Sequence, residues 1–266
     1  MASWKRLARF VPKGHPSKVL IGEPENHNTD IGLALYKGET VKARVFNGNS
    51  VLEPGAPSGE VAEIDRVLSP LTQAEVGTIR KPETSLGDPY PARTILPKLT
   101  QVDDCGDYES ELAIVIGKEC KNVCEADAYD YVLGYTAAND VSSRTSQFAQ
   151  SQWSFSKGFD GACPIGPVIV SKSLIPDPQQ LAVRGLMNGQ VMQEGSTDDL
   201  IFNVPKIVSF LSQSTTMKPG TLIITGTPAG VGMARKPQVT IKESDVFFVE
   251  ILPYIGTLVN VFQNEE

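Results

Sequence analysis

The chain contains very few histidines and cysteines: two and four, respectively, in 266 residues. His15 and His27 lie in Gly-His-Pro and Asn-His-Asn segments, which are typical of surface loops, so no histidine is an evident catalytic base. The cysteines show no Cys-x-x-Cys spacing and have no neighbouring histidine; they are Cys105, Cys120, Cys124 and Cys163. This pattern argues against a zinc site and a disulfide framework, and favours reduced thiols.

The sequence also lacks a long apolar run and an excess of positive charge. No segment approaches the length of a membrane span. The net charge of −7 argues against nucleic acid or an anionic membrane as a partner. A cytoplasmic location is predicted. The basic, acid-free start leaves a mitochondrial presequence as the alternative to a first β-strand that ends at Val11-Pro12.

The distribution of turn residues predicts three segments in a β-rich α+β fold. Residues 1–68 are predicted to form a small β-rich module, in which Leu33, Leu35, Val41 and Val45 around a Lys37-Gly38 turn suggest a hairpin. Residues 69–100, with five prolines, are predicted to be an irregular linker. Residues 101–266 are predicted to form the main domain, and its strand candidates are 112–116, 165–170, 181–187, 190–193, 221–225, 246–251 and 256–262.

Local signals predict two helices and one tight turn in the main domain. A helix near residues 125–133 would begin at Cys124 or Asn122, and a second would have Asn203 as N-cap. Asn188-Gly189, between two strand candidates, predicts a type I′ hairpin.

The most informative feature for function is a pair of glutamates two residues apart. Glu109 and Glu111 precede the apolar run 112–116, and side chains two apart in a strand point to the same face. Two adjacent carboxylates repel each other, and a cation relieves the repulsion. Oxygen ligands favour a hard ion, Mg²⁺ first, with Mn²⁺ or Ca²⁺ as alternatives. The alternative interpretation is two solvated glutamates on a strand edge.

A third carboxylate favours the metal hypothesis. Asp140 follows the small, uncharged residues Thr136, Ala137 and Ala138, where an unpartnered carboxylate would be costly. Three carboxylates leave open positions on an octahedral ion for water and a chelating substrate. That arrangement suits a Lewis-acid site better than a structural one.

Two other segments complete a candidate pocket. Lys157 lies among aromatic, glycine and proline residues and could hold a substrate carboxylate or polarise a carbonyl; the alternative is a solvated surface lysine. The apolar run 222–224 leads into the glycine-rich turn 225–232, which could direct backbone N–H groups and the Thr227 hydroxyl at an anion. An ordinary loop is the alternative for that turn.

These segments, in this order, resemble the fumarylacetoacetate hydrolase superfamily over residues 60–262. The resemblance rests on Tyr-Glu-Ser-Glu-Leu-Ala-Ile-Val-Ile-Gly (108–117), Gly-Tyr-Thr-Ala-Ala-Asn-Asp-Val-Ser-Ser-Arg (134–144), Ser-Lys-Gly-Phe-Asp (156–160) and Thr-Gly-Thr-Pro-Ala-Gly-Val-Gly (225–232). It implies a mixed β-roll of the fumarylacetoacetase C-terminal type and a homodimer. We expect the apolar region 155–170 to be a candidate dimer contact.

Carried over by position, the resemblance implies a site and a class of chemistry. Glu109, Glu111 and Asp140 would bind Mg²⁺ or Mn²⁺. Lys157 would be the catalytic residue in contact with the substrate, and the other substrate contacts would be Thr227, Gly226, Arg144 and Gln147. Members of the superfamily act on small anionic 2,4-dioxo or β-keto acids as acylpyruvate hydrolases, oxaloacetate decarboxylases or tautomerases, and hydroxymuconate isomerases. The hypothesis is a metal-dependent enzyme that works through a metal-stabilised enolate.

One departure from the superfamily pattern concerns the dyad that activates water. Members carry an Asn-Tyr-x-x-His-x-x-Glu segment before the Lys-Pro pair, whereas here Arg80 runs directly into Lys81-Pro82. Three explanations for the missing segment are open: an incomplete gene sequence, a sequence joined across a disordered lid, or a protein that truly lacks the dyad. In the last case hydrolysis would lack its base, whereas enolisation or decarboxylation would suffer less, and a catalytically impaired member is the alternative function.

Overall fold

The computed structural model describes residues 4–76 and 81–266, which form a strand-rich α+β structure. The strands are β1 (Arg6–Pro12), β2 (Leu20–Pro24), β3 (Lys42–Phe46), β4 (Pro57–Leu68), β5 (Leu86–Gly87), β6 (Arg93–Leu96), β7 (Gly106–Asp107), β8 (Ser110–Ile116), β9 (Val132–Asn139), β10 (Ser142–Ser143), β11 (Cys163–Ser171), β12 (Ala182–Met187), β13 (Gln190–Ser196), β14 (Leu222–Ile224), β15 (Val246–Leu252) and β16 (Gly256–Asn264). The α-helices are α1 (Ile31–Tyr36), α2 (Lys98–Val102), α3 (Ala128–Tyr131), α4 (Arg144–Ala149) and α5 (Val204–Ser212). The mixed α+β, strand-rich class is confirmed, and the β-roll stays a prediction.

Two large sheets organise the described residues. The first has the strand order β14-β8-β9-β11-β1-β2-β3-β4, with β5 beside β11, and the second has the order β13-β12-β15-β16-β6. Strand β1 pairs with β2 and β4, and through Arg6↔Val170 it also pairs with β11. The N-terminal strands therefore belong to the same sheet as β8 and β9. The division into domains at residues 68 and 100 stays a prediction.

Strand β8 is buried on both faces, which explains its uninterrupted apolar sequence. Leu112 and Ile114 belong to a hydrophobic cluster that also contains Phe247 from the second sheet. Ala113 and Val115 point the other way, into a separate cluster. A strand covered on both sides reads as a continuous hydrophobic run. The burial fixes β8 and therefore the position of the glutamates at its start.

The predicted hairpin around Lys37-Gly38 is wrong, because residues 31–36 form helix α1. The Asp30 carboxylate caps this helix by accepting a hydrogen bond from the Leu33 N–H at 3.1 Å. Asp30 also accepts one from the Thr257 N–H at 3.0 Å, which holds the helix against β16. A Cβ at Gly32 would lie 1.8 Å from the Thr257 carbonyl oxygen. Capping and this close approach override the alternating apolar pattern.

Residues 69–100 are less irregular than predicted. They contain β5, β6 and the start of α2, and β6 pairs in parallel with β16 through Val261↔Arg93. The prolines lie between these short elements. The proline-rich composition predicted that regular structure is interrupted in this segment, but it did not predict strand β6, which pairs with β16.

The local signals of the main domain have mixed outcomes. The Asn203 side chain caps α5 by accepting a hydrogen bond from the Lys206 N–H at 2.9 Å, as predicted. The hairpin turn is confirmed, with φ values of 51° at Asn188 and 84° at Gly189. Near residue 125, a 3₁₀ turn (Glu125–Asp127) precedes the short helix α3, and the predicted Cys124 cap makes no side-chain capping bond.

The region 155–170, predicted as a dimer contact, lies largely inside the chain, and its part in a dimer stays a prediction. All of β11 is buried within the chain between β9 and β1, and only the Phe155 end of the region is strongly exposed. The apolar residues of β11 therefore pack within the sheet, because a central strand needs hydrophobic side chains on both faces.

Among the helices described, none is long and apolar enough to cross a membrane.

Candidate metal centre

The pairing of β8 with β9 brings the three predicted carboxylates together. The strands are antiparallel, and the register places Ser110 opposite Asn139 and Glu111 opposite Ala138. The start of β8 therefore meets the end of β9, where the Asp140 N–H donates to the Glu109 carbonyl oxygen at 2.9 Å. One carboxylate oxygen from each of Glu109, Glu111 and Asp140 lies within 4.8 Å of the others.

These carboxylates are buried, and Glu111 is the least compensated of the three. Its exposed fraction is 2%, and it accepts a hydrogen bond from the Gly226 N–H at 2.6 Å. Burial raises the pKa of Glu111 well above its ordinary value, and the negative charges of Asp140 and Glu109 raise it further. A divalent cation bound by all three would remove that repulsion. The donor set, oxygen only, fits a hard ion such as Mg²⁺ or Mn²⁺.

Lys157 lies inside this cluster, as the sequence predicts for a site residue. Its Nζ donates at 2.8 Å to each of three acceptors: Glu109 Oε2, Asp140 Oδ2 and Ser142 Oγ. An ammonium group has three N–H donors, so its donors are fully used. Lys157 is therefore rigidly held beside the carboxylates rather than solvated at the surface.

A second lysine, Lys81, pairs with Asp140 from the other side. Its Nζ donates to Asp140 Oδ1, and its side chain is 18% exposed. Burial tends to raise the pKa of Asp140, but the charges of Lys81 and Lys157 outweigh it, and the net pKa is lowered. Asp140 is therefore ionised at neutral pH. Sequence reasoning did not identify Lys81 as a site residue.

Arg144, at the start of α4, forms the third basic group. Its Nη1 lies 2.7 Å from Glu109 Oε1 and donates to Gln147 Oε1 at 2.8 Å, while its Nε donates to Asp107 Oδ2 at 2.9 Å. Burial lowers the pKa of Arg144, but Glu109 and Asp107 raise it to a net increase. Its Nη2 is buried and has no hydrogen-bond partner among the described residues.

Asp107 anchors Arg144 and was missed by the sequence analysis. Besides the arginine, it accepts hydrogen bonds from the backbone N–H groups of Gly232 at 2.8 Å and Met233 at 2.9 Å. It therefore links strand β7 to the end of the glycine-rich turn. Its neighbour Tyr108 has its pKa raised to about 12, by burial first and then by Asp107, so this phenol stays protonated.

The turn 225–232 supports the glutamates directly. Gly226 has a φ of +94°, a conformation that favours glycine, and this directs its N–H at Glu111. The Thr227 hydroxyl donates to the Ser110 carbonyl oxygen at 3.0 Å and accepts from Gln193 Nε2 at 2.7 Å. Both groups hold the strand that carries Glu109 and Glu111. Their contact with a substrate stays a prediction.

Gln193 is a further residue that sequence reasoning did not single out. Its Oε1 accepts from the Ser110 N–H at 3.0 Å, and its Nε2 donates to Thr227 and to the Pro228 carbonyl oxygen at 2.9 Å. The side chain therefore joins the second sheet to both β8 and the turn. Because these partners lie 34 to 83 residues away, the local sequence does not predict the contacts of this side chain.

The remaining candidates for nucleophile or base are Cys163, which is buried close to the charged groups of the site, and the two histidines. Burial raises the pKa of Cys163 to about 11, so its thiol is protonated at neutral pH and is a poor nucleophile. His15 is exposed in a turn, and His27 lies 3.7 Å from Glu23 in the N-terminal region. Arg80, where the predicted junction lies, falls outside the described residues.

Known proteins are similar to this chain in sequence and in fold. The chain is 40% identical to a caffeoylpyruvate hydrolase from Neonothopanus nambi over 294 positions, which cover 100% of the chain and 95% of that protein. It is 44% identical to an oxaloacetate tautomerase from Bacillus subtilis, over an alignment that covers 58% of this chain and 51% of that protein. A crystal structure of a 2-hydroxyhepta-2,4-diene-1,7-dioate isomerase from Mycobacterium marinum matches with a TM-score of 0.79 and 31% identity, covering 98% of this chain and 99% of that one.

The family match covers most of the chain and includes the whole carboxylate cluster. The sequence profile described as fumarylacetoacetate (FAA) hydrolase C-terminal matches residues 69–263. Glu109, Glu111, Asp140, Lys157 and Thr227 all lie in that range. The chain therefore belongs to the fumarylacetoacetate hydrolase family.

Proposed function

We propose that this chain is a divalent-metal-dependent enzyme that acts on small 2,4-dioxo or β-keto acids. The observation that carries the proposal is the convergence of three buried carboxylates within 4.8 Å beside Lys157 and Arg144. Glu109, Glu111 and Asp140 would hold Mg²⁺ or Mn²⁺. When bound, the ion would polarise the 2-oxo group of the substrate and stabilise negative charge that develops on it.

The chain's own residues would orient the substrate and balance its charge. Lys157 and Arg144 bring positive charge to a buried site, where electrostatic interactions are stronger than in water. Arg144 Nη2, which has no partner among the residues described, is placed to donate to a substrate carboxylate. The Thr227 turn keeps the glutamates fixed, so little reorganisation is needed when charge develops.

The reaction is C–C hydrolysis of an acylpyruvate, or decarboxylation or tautomerisation of oxaloacetate. The relatives named caffeoylpyruvate hydrolase and oxaloacetate tautomerase support this range of substrates. The described site contains no histidine side chain, and the whole chain has two. Because hydrolysis needs a base to activate water, we favour the oxaloacetate reactions.

The test is turnover of oxaloacetate and of acetylpyruvate by the purified chain with Mg²⁺, following absorbance and pyruvate together. We expect activity that EDTA abolishes and Mg²⁺ or Mn²⁺ restores. Turnover that survives complete removal of metal would contradict the proposal. Absorbance loss from oxaloacetate without pyruvate would identify tautomerisation, whereas pyruvate formation would identify decarboxylation.

The second candidate is a catalytically impaired family member that binds a metal or a partner. The direct Arg80–Lys81 junction, without the His-x-x-Glu segment, favours it. Sequencing the transcript across this junction discriminates the two candidates: an uninterrupted junction, together with metal binding and no turnover, would support the impaired member.

The substrate partner is proposed to be an anionic keto acid, with neither nucleic acid nor membrane involved. A homodimer and a cytoplasmic location, with mitochondria as the alternative, also stay proposals.

A further inference from the structure

The two oxygens of the Asp140 carboxylate are held by different lysines. Lys157 donates to Oδ2 at 2.8 Å, and Lys81 donates to Oδ1. The lysines approach from separate parts of the chain, 17 and 59 residues from Asp140. Any cation that takes Asp140 as a ligand must therefore share an oxygen with one of them.

The two lysines are held with unequal strength. Lys157 also donates to Glu109 and to Ser142, both at 2.8 Å, so three contacts keep its ammonium group in place. Lys81 has Asp140 as its one hydrogen-bond acceptor within residues 4–76 and 81–266. Moving Lys81 breaks one contact, whereas moving Lys157 breaks three. Lys81 is therefore the lysine that can move away from Asp140 more easily.

Lys81 also contributes to the net charge of the site. With a divalent ion bound, Glu109, Glu111, Asp140 and Asp107 would contribute four negative charges, and Lys81, Lys157 and Arg144 would contribute three positive ones. A bound divalent ion would leave the site with one net positive charge, and removal of Lys81 would cancel it. The loss should weaken binding of a dianionic substrate more than that of a monoanionic one.

We propose that Lys81 is the displaceable cation of this site. It competes with the divalent ion for Asp140 Oδ1 and, once displaced, binds a second carboxylate on the substrate. Lys81 is then a specificity-determining residue that favours dicarboxylate keto acids. The substrate part rests on the proposed function, whereas the competition for Asp140 depends only on metal binding.

The first experiment measures Mn²⁺ affinity by titration calorimetry for the full chain and for Lys81→Met. Removing a cation that competes for a ligand should tighten Mn²⁺ binding by about tenfold. Lys81→Arg keeps the charge and should stay near the wild-type affinity. Lys206→Met, which removes an exposed lysine paired with Glu125, is the matched control and should change nothing. Unchanged or weaker Mn²⁺ binding by folded Lys81→Met, or by Lys81→Gln if Lys81→Met does not fold, would overturn the proposal.

The second experiment compares two unreactive ligands on the Mn²⁺-loaded protein, 2-oxobutanoate and 2-oxoglutarate, which differ by a second carboxylate. Wild type should prefer 2-oxoglutarate, and Lys81→Met should lose about tenfold of that preference. An equal ratio in the two proteins, or no preference in wild type, would overturn the specificity role. Absence of turnover in wild type would end the proposed function, but both titrations would still decide the role of Lys81.

Discussion

Two buried glutamates in this molecule have opposite surroundings. Glu23, at the end of β2, accepts hydrogen bonds from the Lys5 N–H at 2.7 Å, the Arg6 N–H at 3.3 Å and Arg44 Nη2 at 3.2 Å. Glu111 accepts one from the Gly226 N–H and faces two other carboxylates. Both side chains are almost fully buried, at 6% and 2% exposure. Burial is therefore common to them, and the sign of the neighbouring charges is what differs.

The contrast separates a structural carboxylate from a ligand. The donors around Glu23 come from its own chain, so its charge is compensated without any further group. Asp107 belongs to the same class, because Arg144 and two backbone N–H groups surround it. Glu111 lacks such compensation: burial raises its pKa, and the charges of Asp140 and Glu109 raise it further. A buried acid whose neighbours are acids indicates a cation site better than burial or spacing alone.

The largest effect is expected from Asp140→Asn. Neutralising a ligand should lower Mn²⁺ affinity and metal-dependent turnover by at least about 100-fold, because the amide is a weaker ligand for a hard ion. Calorimetry and the oxaloacetate assay measure the two effects. The control is Asp104→Asn, which changes an exposed carboxylate paired with Lys242. Wild-type metal affinity in folded Asp140→Asn would show that the cluster is not the metal site.

Glu23→Ala tests the structural side of the contrast. It should lower the free energy of unfolding by about 2 kcal/mol, because buried N–H donors lose their acceptor. Arg44 is half exposed, so its share of the loss is small. Urea unfolding measures the change, and turnover per folded molecule should equal that of wild type. A larger effect on turnover than on stability would place Glu23 in the functional class.

Glu111→Gln should have the opposite sign and should stabilise the protein in EDTA. A carboxyl whose pKa is raised by folding binds more protons in the folded state, so its ionisation destabilises the fold as pH rises above about 4.5. The gain should be small at pH 5 and reach about 1 kcal/mol or more at pH 8. Urea unfolding at both pH values measures it, with the exposed Glu194→Gln as control. A pH-independent difference would contradict the raised pKa of Glu111.

The smallest effect is expected from Thr227→Val, which removes the hydrogen bonds to Ser110 and Gln193 but keeps the side-chain shape. Stability should fall by about 1 kcal/mol, and turnover should fall several-fold because the glutamate strand is held less firmly. Thr225→Val removes a comparable bond, from the Thr225 hydroxyl to the Leu112 carbonyl oxygen at 2.9 Å. Thr225→Val should lower stability by a similar amount and leave turnover nearly unchanged. Equal losses of turnover would show that the effect is not specific to Thr227.

Local sequence predicted some elements of the fold, including β8, but not β9 and α4, at whose ends Asp140 and Arg144 lie. The apolar run after Glu111 predicted β8, the turn chemistry of Asn188-Gly189 predicted its hairpin, and Asn203 predicted the start of α5. These signals are local because propensity, capping and turn geometry depend on neighbouring residues. The resemblance based on the same motifs identified the family, which the comparisons confirm. Spacing alone also placed Glu109 and Glu111 on one face.

Only the tertiary structure decided which groups surround those glutamates. The β8–β9 register brings Asp140 to Glu109, and Lys81 arrives from 59 residues away to pair with Asp140. Helix α1 replaced a predicted strand because contacts with Thr257, more than 220 residues away, fixed it. Sequence pattern records the preferences of a segment for its own conformation. Burial and charge compensation depend on segments that meet only in the folded chain, so they could not be read in advance.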